Sequence, residues 1–175
     1  MTGFKDRILR AAKLDAALYE EVEADKSAMP QAMAVVVLSS VAAGIGSIGM
    51  GVGGPGGVLF GIIVSLGGWY LWAYLTFFIG TKVLPEPQTE SNPGELLRTI
   101  GFSSSPGLIR VLGLIPGLQG LVFLVASIWM LLAMVIAIRQ ALDYKSTPRA
   151  IGVCLIGWLI QAMVLAFFLS LAGAR

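Results

Sequence analysis

The sequence predicts an all-α membrane protein, a five-helix transmembrane bundle preceded by an amphipathic cytoplasmic helix. Three observations carry that expectation. Of 175 residues, 57% are hydrophobic and 13% charged, about half the charged share of a soluble domain. Mean hydropathy is +0.85, and uncharged stretches long enough to cross a bilayer recur. So little polar surface cannot cover a globule in water, which excludes a disordered chain, a nucleic-acid-binding basic domain and an ordinary soluble enzyme. The chain has no histidine, which removes the usual general base near neutral pH and the commonest zinc ligand. Its single cysteine, Cys154, lies in an apolar run and has no intrachain partner. No metal, no cofactor and no catalytic residue is expected. Twelve Lys and Arg against ten Asp and Glu give a net charge of +2, too balanced for a polyanionic partner such as nucleic acid.

Residues 1–29 carry eleven of the 22 charges and stand apart from the rest. Phe4, Ile8, Ala11, Leu14 or Asp15, Leu18 and Val22 recur every three or four positions, one apolar stripe on a helix. Lys5, Arg7, Arg10 and Lys13 come first and Asp15, Glu20, Glu21, Glu23 and Asp25 follow. The first half reads as an in-plane helix on anionic headgroups and the second as facing water or a partner; the alternative is a solvated helix packed on the bundle. Charges throughout the segment and the lack of an apolar core before a cleavage site argue against a signal peptide, and no lipidation motif fits.

The membrane domain is expected over residues 30–172, with spans at about 30–50, 58–79, 95–115, 118–138 and 148–172. Pro30 to Met50 holds no charge and, at about 20 residues, suffices for a hydrocarbon core of ~30 Å. The glycine-rich turn Gly51 to Gly57 returns the second span alongside the first. That span ends in Trp69, Tyr70, Trp72, Tyr74, Phe77 and Phe78, an interfacial cluster followed by Lys82. After the polar linker from Pro85, Asn92-Pro93-Gly94-Glu95 is a helix start with a capping box. The helix it launches carries Arg98 and Arg110 and is interrupted at Ser103-Ser104-Ser105-Pro106-Gly107. Leu118 to Ile138 is an unambiguous span, and Thr147-Pro148 caps the last one.

Lys and Arg counts orient the chain, because cytoplasmic loops carry the excess. The N-terminal segment, the 80–98 region and the 139–149 loop are the basic regions. All three share one face only if residues 95–115 cross, which places the N-terminus in the cytoplasm and the C-terminus opposite. The break near Pro106 is then tolerated by packing inside protein.

The run Leu96 to Pro106 (Leu-Leu-Arg-Thr-Ile-Gly-Phe-Ser-Ser-Ser-Pro), ending in Leu114-Ile115-Pro116, together with Trp129 and Ala150 about the fourth loop, resembles the YIP domain family of Ypt/Rab-interacting multi-pass membrane proteins. The resemblance covers about residues 30–172 and looks like a bacterial-type member of the cytoplasmic membrane. It implies membrane shaping, vesicle traffic and small-GTPase binding without catalysis. Where eukaryotic members carry an Asp-Leu-Tyr-Gly-Pro type motif, this chain has Leu18-Tyr19-Glu20-Glu21-Val22-Glu23-Ala24-Asp25, so the GTPase role is not carried over. Tyr19, Glu20, Glu21, Glu23 and Asp25 remain as candidates for docking a cytoplasmic protein.

Arg110 is the sharpest site candidate: a cation within a span, with no Asp or Glu in any expected span to pair with it. It either snorkels to headgroups or joins Ser103, Ser104, Ser105, Pro106 and Gln161 in a lipid or polar cavity. Arg98 reads as a cytoplasmic-end anchor. Ser40 and Gly44 on the first span, and Gly57, Gly61 and Ser65 on the second, repeat every four residues, as close helix packing requires. Packing within the chain is preferred over a homo-oligomer. Gly44-Ile-Gly46-Ser-Ile-Gly49 matches a dinucleotide fingerprint in letters alone, with no strand before it. The expected function is a non-enzymatic membrane protein that organises or shapes the bilayer, or docks a partner. The alternative is a small transporter or channel using the broken third helix and Arg110.

Overall fold

A computed structural model describes residues 3–48 and 55–173. Its helices are α1 (Phe4–Ala12), α2 (Ala16–Ala24), α3 (Met29–Ile48), α4 (Pro55–Phe78), α5 (Pro93–Ser103), α6 (Gln119–Ala141) and α7 (Thr147–Gly173). A 3-10 turn, Lys26–Ala28, leads into α3; a π turn, Ile79–Val83, continues α4; and a 3-10 segment, Ser105–Leu114, follows α5. Most of the expected glycine turn, together with Met50, lies outside the described residues, and Gly56 and Gly57 already belong to α4.

Among the described residues four helices are long and apolar enough to cross a membrane, not five: Lys26–Ile48, Gly56–Val83, Gln119–Ala141 and Thr147–Val164. The expected span at 95–115 is not a spanning helix. Its α-helical part has 11 residues, about 16 Å of the ~30 Å a bilayer core requires. The cause is local. Pro106 has no N–H to give the Phe102 carbonyl four residues back, and the Ser105 hydroxyl donates to that carbonyl instead, at 2.7 Å. The chain then goes on in the tighter 3-10 form.

This broken segment packs between α3 and α6. Gly101, Gly107 and Gly113 come against Ala32, Ser39 and Gly46 of α3 in turn. Six residues of the partly 3-10 segment keep step with seven of α3, since a 3-10 turn rises about 2.0 Å per residue against 1.5 Å. A Cβ on Gly101 would lie 2.8 Å from that of Ala32, and one on Gly107 would overlap the Ser39 hydroxyl. The segment therefore follows α3 from its first turn almost to its last.

The expected single N-terminal helix is a hairpin. Leu14 takes a left-handed φ of 62°, and the Asp15 carboxylate accepts from the Ala17 N–H at 3.0 Å to start α2. Folding back, the hairpin pairs its own charges. Arg7, buried, donates to Glu21 at 2.9 Å, Asp25 at 2.8 Å and Gln31 at 3.0 Å, and Arg10 donates to Asp15 at 2.7 Å and Glu21 at 2.6 Å. Both arginines are thus committed to carboxylates rather than to headgroups. The stripe residues Ala11, Leu18 and Val22 enter the core beside Tyr19. The capping box at α5 forms as expected: Asn92 accepts from the Glu95 N–H at 3.1 Å and Glu95 from the Asn92 N–H at 2.9 Å.

Candidate functional site

Between α3 and α4 lies a partly open cavity of about 820 Å³, bordered by the 3-10 segment, α6 and α7. Gly57, Gly61, Ser65, Gly68 and Trp72 form its α4 wall, and Val36, Ser40, Ala43, Gly44 and Ser47 form its α3 wall. Each set repeats every three or four residues, so each is one helical face. Sequence reasoning assigned Gly57, Gly61 and Ser65 to tight helix packing. The structure corrects this: a Cβ on Gly57 or Gly61 would meet nothing within 4 Å. Gly44 does pack closely, with Val58 side-chain atoms 2.9 Å from where its Cβ would be.

Ser104, Arg110 and Gln161 also line this cavity. Ser103 and Ser105 do not, because their hydroxyls donate to the carbonyls of Ile100 and Phe102, both at 2.7 Å, and Pro106 is buried in the packed segment. Arg110 bonds neither these serines nor Gln161. Its Nη2 donates to the Ser127 hydroxyl at 3.1 Å, its guanidinium sits 5.6 Å from the centre of the Phe123 ring, and its buried Nε has no hydrogen-bond partner. The Trp72 indole N–H, also on the lining, is buried and unpartnered too. Sequence reasoning placed Trp72 in an interfacial belt with Trp69. Trp69 is instead buried, donating to the Leu97 carbonyl at 2.9 Å. Among the described lining residues no carboxylate occurs.

At the other end the bundle is polar. Arg98 lies away from the cavity, 5% exposed. It donates to the Val22 carbonyl at 2.8 Å and to the Glu23 carbonyl, groups of the last turn of α2 that have no helical donor of their own. Trp129 of α6 donates to the Ala12 carbonyl at 2.7 Å, and Gln140 to Glu20 at 2.6 Å. In the loop after α6, the Tyr144 hydroxyl reaches the Gly80 and Leu84 carbonyls at 2.9 and 2.7 Å. The Glu86 carboxylate accepts from the Lys145 and Ser146 N–H groups where α7 begins. The N-terminal hairpin, the 80–98 region and the 139–149 loop therefore meet at one end.

Of the docking candidates, Tyr19 is fully buried, Glu21 and Asp25 pair with arginines, and Glu20 is exposed. Glu23 faces a small acidic pocket with Glu90, Glu95 and Asp143. Burial, then the nearby charges of Glu95, Asp143 and Glu20, push its carboxyl up to about 8 against the opposing pull of Arg98.

Neither a curated protein sequence nor a solved structure matches the chain. The Yip1 domain family model matches residues 17–169, from the start of α2 into the last helix, taking in the second helix of the hairpin, the broken segment and the cavity, but not α1. On that match, over most of its length, the chain belongs to the Yip1 domain family.

Proposed function

We propose that the protein is a non-enzymatic integral membrane protein that organises its bilayer, or docks a partner, through the face that carries the N-terminal hairpin. The arrangement of that hairpin is the supporting observation. Arg98 of α5 and Trp129 and Gln140 of α6 hold it to the bundle at three points, and its buried Arg7 is paired with its own Glu21 and Asp25. Lys5 and Leu9 on α1 and Lys13 just after it stay exposed at four-residue spacing, with Leu9 at 50%. An exposed leucine between two lysines suits headgroups or an acidic partner surface. Glu20 is the exposed acid on α2, whereas Tyr19, Glu21 and Asp25 serve the hairpin's own packing. Because all three basic regions gather at this end, we place it in the cytoplasm, and we place the C-terminus on the opposite face because the 93–114 segment, although no part of it is a spanning helix, runs beside α3 almost throughout and so makes a fifth passage. The transporter or channel reading gains no support, since the described cavity lining offers no carboxylate for a coupling ion.

The test is reconstitution of the full-length chain into phosphatidylcholine vesicles with and without phosphatidylglycerol. The wild type should change vesicle size or lipid order, more so with the anionic lipid. Lys5→Glu/Lys13→Glu should lose most of that effect at an unchanged unfolding midpoint. A wild type that alters neither property, and that cross-links to no cytoplasmic protein in native membranes, overturns the reading.

A further inference from the structure

We propose that the cavity between α3 and α4 binds one anionic phospholipid, with its phosphate against Arg110 and an acyl chain along the small-residue face of α4. This goes beyond the role given to the hairpin and does not depend on it, because the cavity lies away from Arg98 and the hairpin contacts.

Size, shape and lining chemistry point the same way. A volume of about 820 Å³ falls in the range of ligand sites, roughly 300–1,000 Å³, and far above the voids that packed protein interiors tolerate. The lining runs from Gly57 to Leu75 on α4, about five helical turns or 27 Å, so the space is a channel along the helix and not a round pocket. Within a bilayer, what fills an apolar channel of that length is hydrocarbon.

Hydrocarbon alone leaves a polar group unsatisfied. The Nε of Arg110, at the Gly46 end of the cavity, is a buried donor without an acceptor. Among the described residues, no carboxylate lies within ion-pair distance of Arg110, which is held by one hydroxyl and one aromatic ring. A guanidinium takes a phosphate through two parallel hydrogen bonds, and the pair is stronger where water is excluded. The complementary occupant therefore has acceptor oxygens and negative charge at one end and an apolar body along the rest. A phospholipid with a net negative head meets both demands. A zwitterionic one brings a cation to a site that already holds an unpaired one.

Native mass spectrometry of the full-length protein tests this after incubation in detergent with mixed phosphatidylglycerol and phosphatidylcholine. The expected result is one retained phosphatidylglycerol per chain, preferred over phosphatidylcholine roughly tenfold, because both phosphates can accept from Arg110 but only the choline head sets a second cation beside it. Arg110→Gln should abolish the preference. Gly61→Leu, whose added atoms would project into the cavity with nothing within 4 Å of its Cβ, should reduce retention of both lipids. Gly67→Leu, with equally open space but outside the lining, should bind as the wild type does. Unfolding midpoints of the variants check that each is folded. Equal retention of the two lipids by the wild type overturns the headgroup assignment, and undiminished retention in Gly61→Leu overturns the location. Competition by glycerol phosphate as strong as by the lipid shows a site for a soluble anion and overturns the proposal.

Discussion

Two faces of α3 are lined with small residues, and they do opposite things. On one, Ala32, Ser39 and Gly46 meet Gly101, Gly107 and Gly113 almost backbone to backbone. On the other, Ser40, Gly44 and Ser47 look across a cavity at Gly57, Gly61 and Ser65. Small side chains permit close approach without compelling it. What decides is the bulk at the ends of each contact. α4 rests on α3 through Val58 at Gly44 and on α5 through Trp69 at the Leu97 carbonyl, so it is held off α3 over the stretch between. The 93–114 segment has no such prop and closes on α3 throughout.

The comparison breaks first at Gly107. A leucine there must displace the Ser39 hydroxyl and the Met130 sulfur, the latter 2.9 Å from the new Cβ, and should cost about 3 kcal/mol or prevent folding. The same change at Gly61, on the cavity side, should cost less than about 1 kcal/mol, since it adds apolar atoms without overlap. Thermal unfolding of the two variants in one detergent compares them directly; equal losses would erase the distinction between the faces.

A smaller effect is expected at Arg98, which holds the packed segment to the hairpin. Arg98→Met keeps the apolar stem and removes two charge-assisted hydrogen bonds to the α2 carbonyls. The loss should be about 2 kcal/mol. It should appear in hydrogen exchange as faster opening of α1 and α2, with α6 and α7 unaffected. Uniform acceleration across all helices would mean that Arg98 is not a local clamp.

The smallest effect is one of pH, at the acidic pocket beside that clamp. Folded, the Glu23 carboxyl keeps its proton up to about 8; unfolded, it releases it near 4.5. Between those values the folded state binds more protons, so stability falls as pH rises through the window and levels off above it. The unfolding midpoint should drop by a few degrees from pH 6 to 9, and Glu23→Gln should flatten the slope. A midpoint rising with pH over that range would reverse the assigned sign.

The features that the sequence announced were local or set by the bilayer. Four apolar runs read as spans because length and hydropathy alone qualify a helix to cross lipid. The Asn92–Glu95 capping box and the interruption near Pro106 were legible because each depends on atoms within four residues. The left-handed Leu14 was not, since leucine gives no turn signal, although Asp15 before Ala16-Ala17-Leu18 is a readable helix start. The glycines at 101, 107 and 113 keep a six-residue spacing that no regular α-helix repeats, and it gains meaning only against the seven-residue spacing of Ala32, Ser39 and Gly46.

By itself, then, the sequence determined the solvent, the helical class and the helix start at Asn92 and break near Pro106, because hydropathy, capping and proline act over a few residues. Only the tertiary structure decided which carboxylates pair Arg7 and Arg10, what Arg98 holds, and which small residues touch and which face a cavity. Those outcomes depend on distances between helices, and the same glycine spacing serves a seam or a binding channel according to the bulky side chains that flank it.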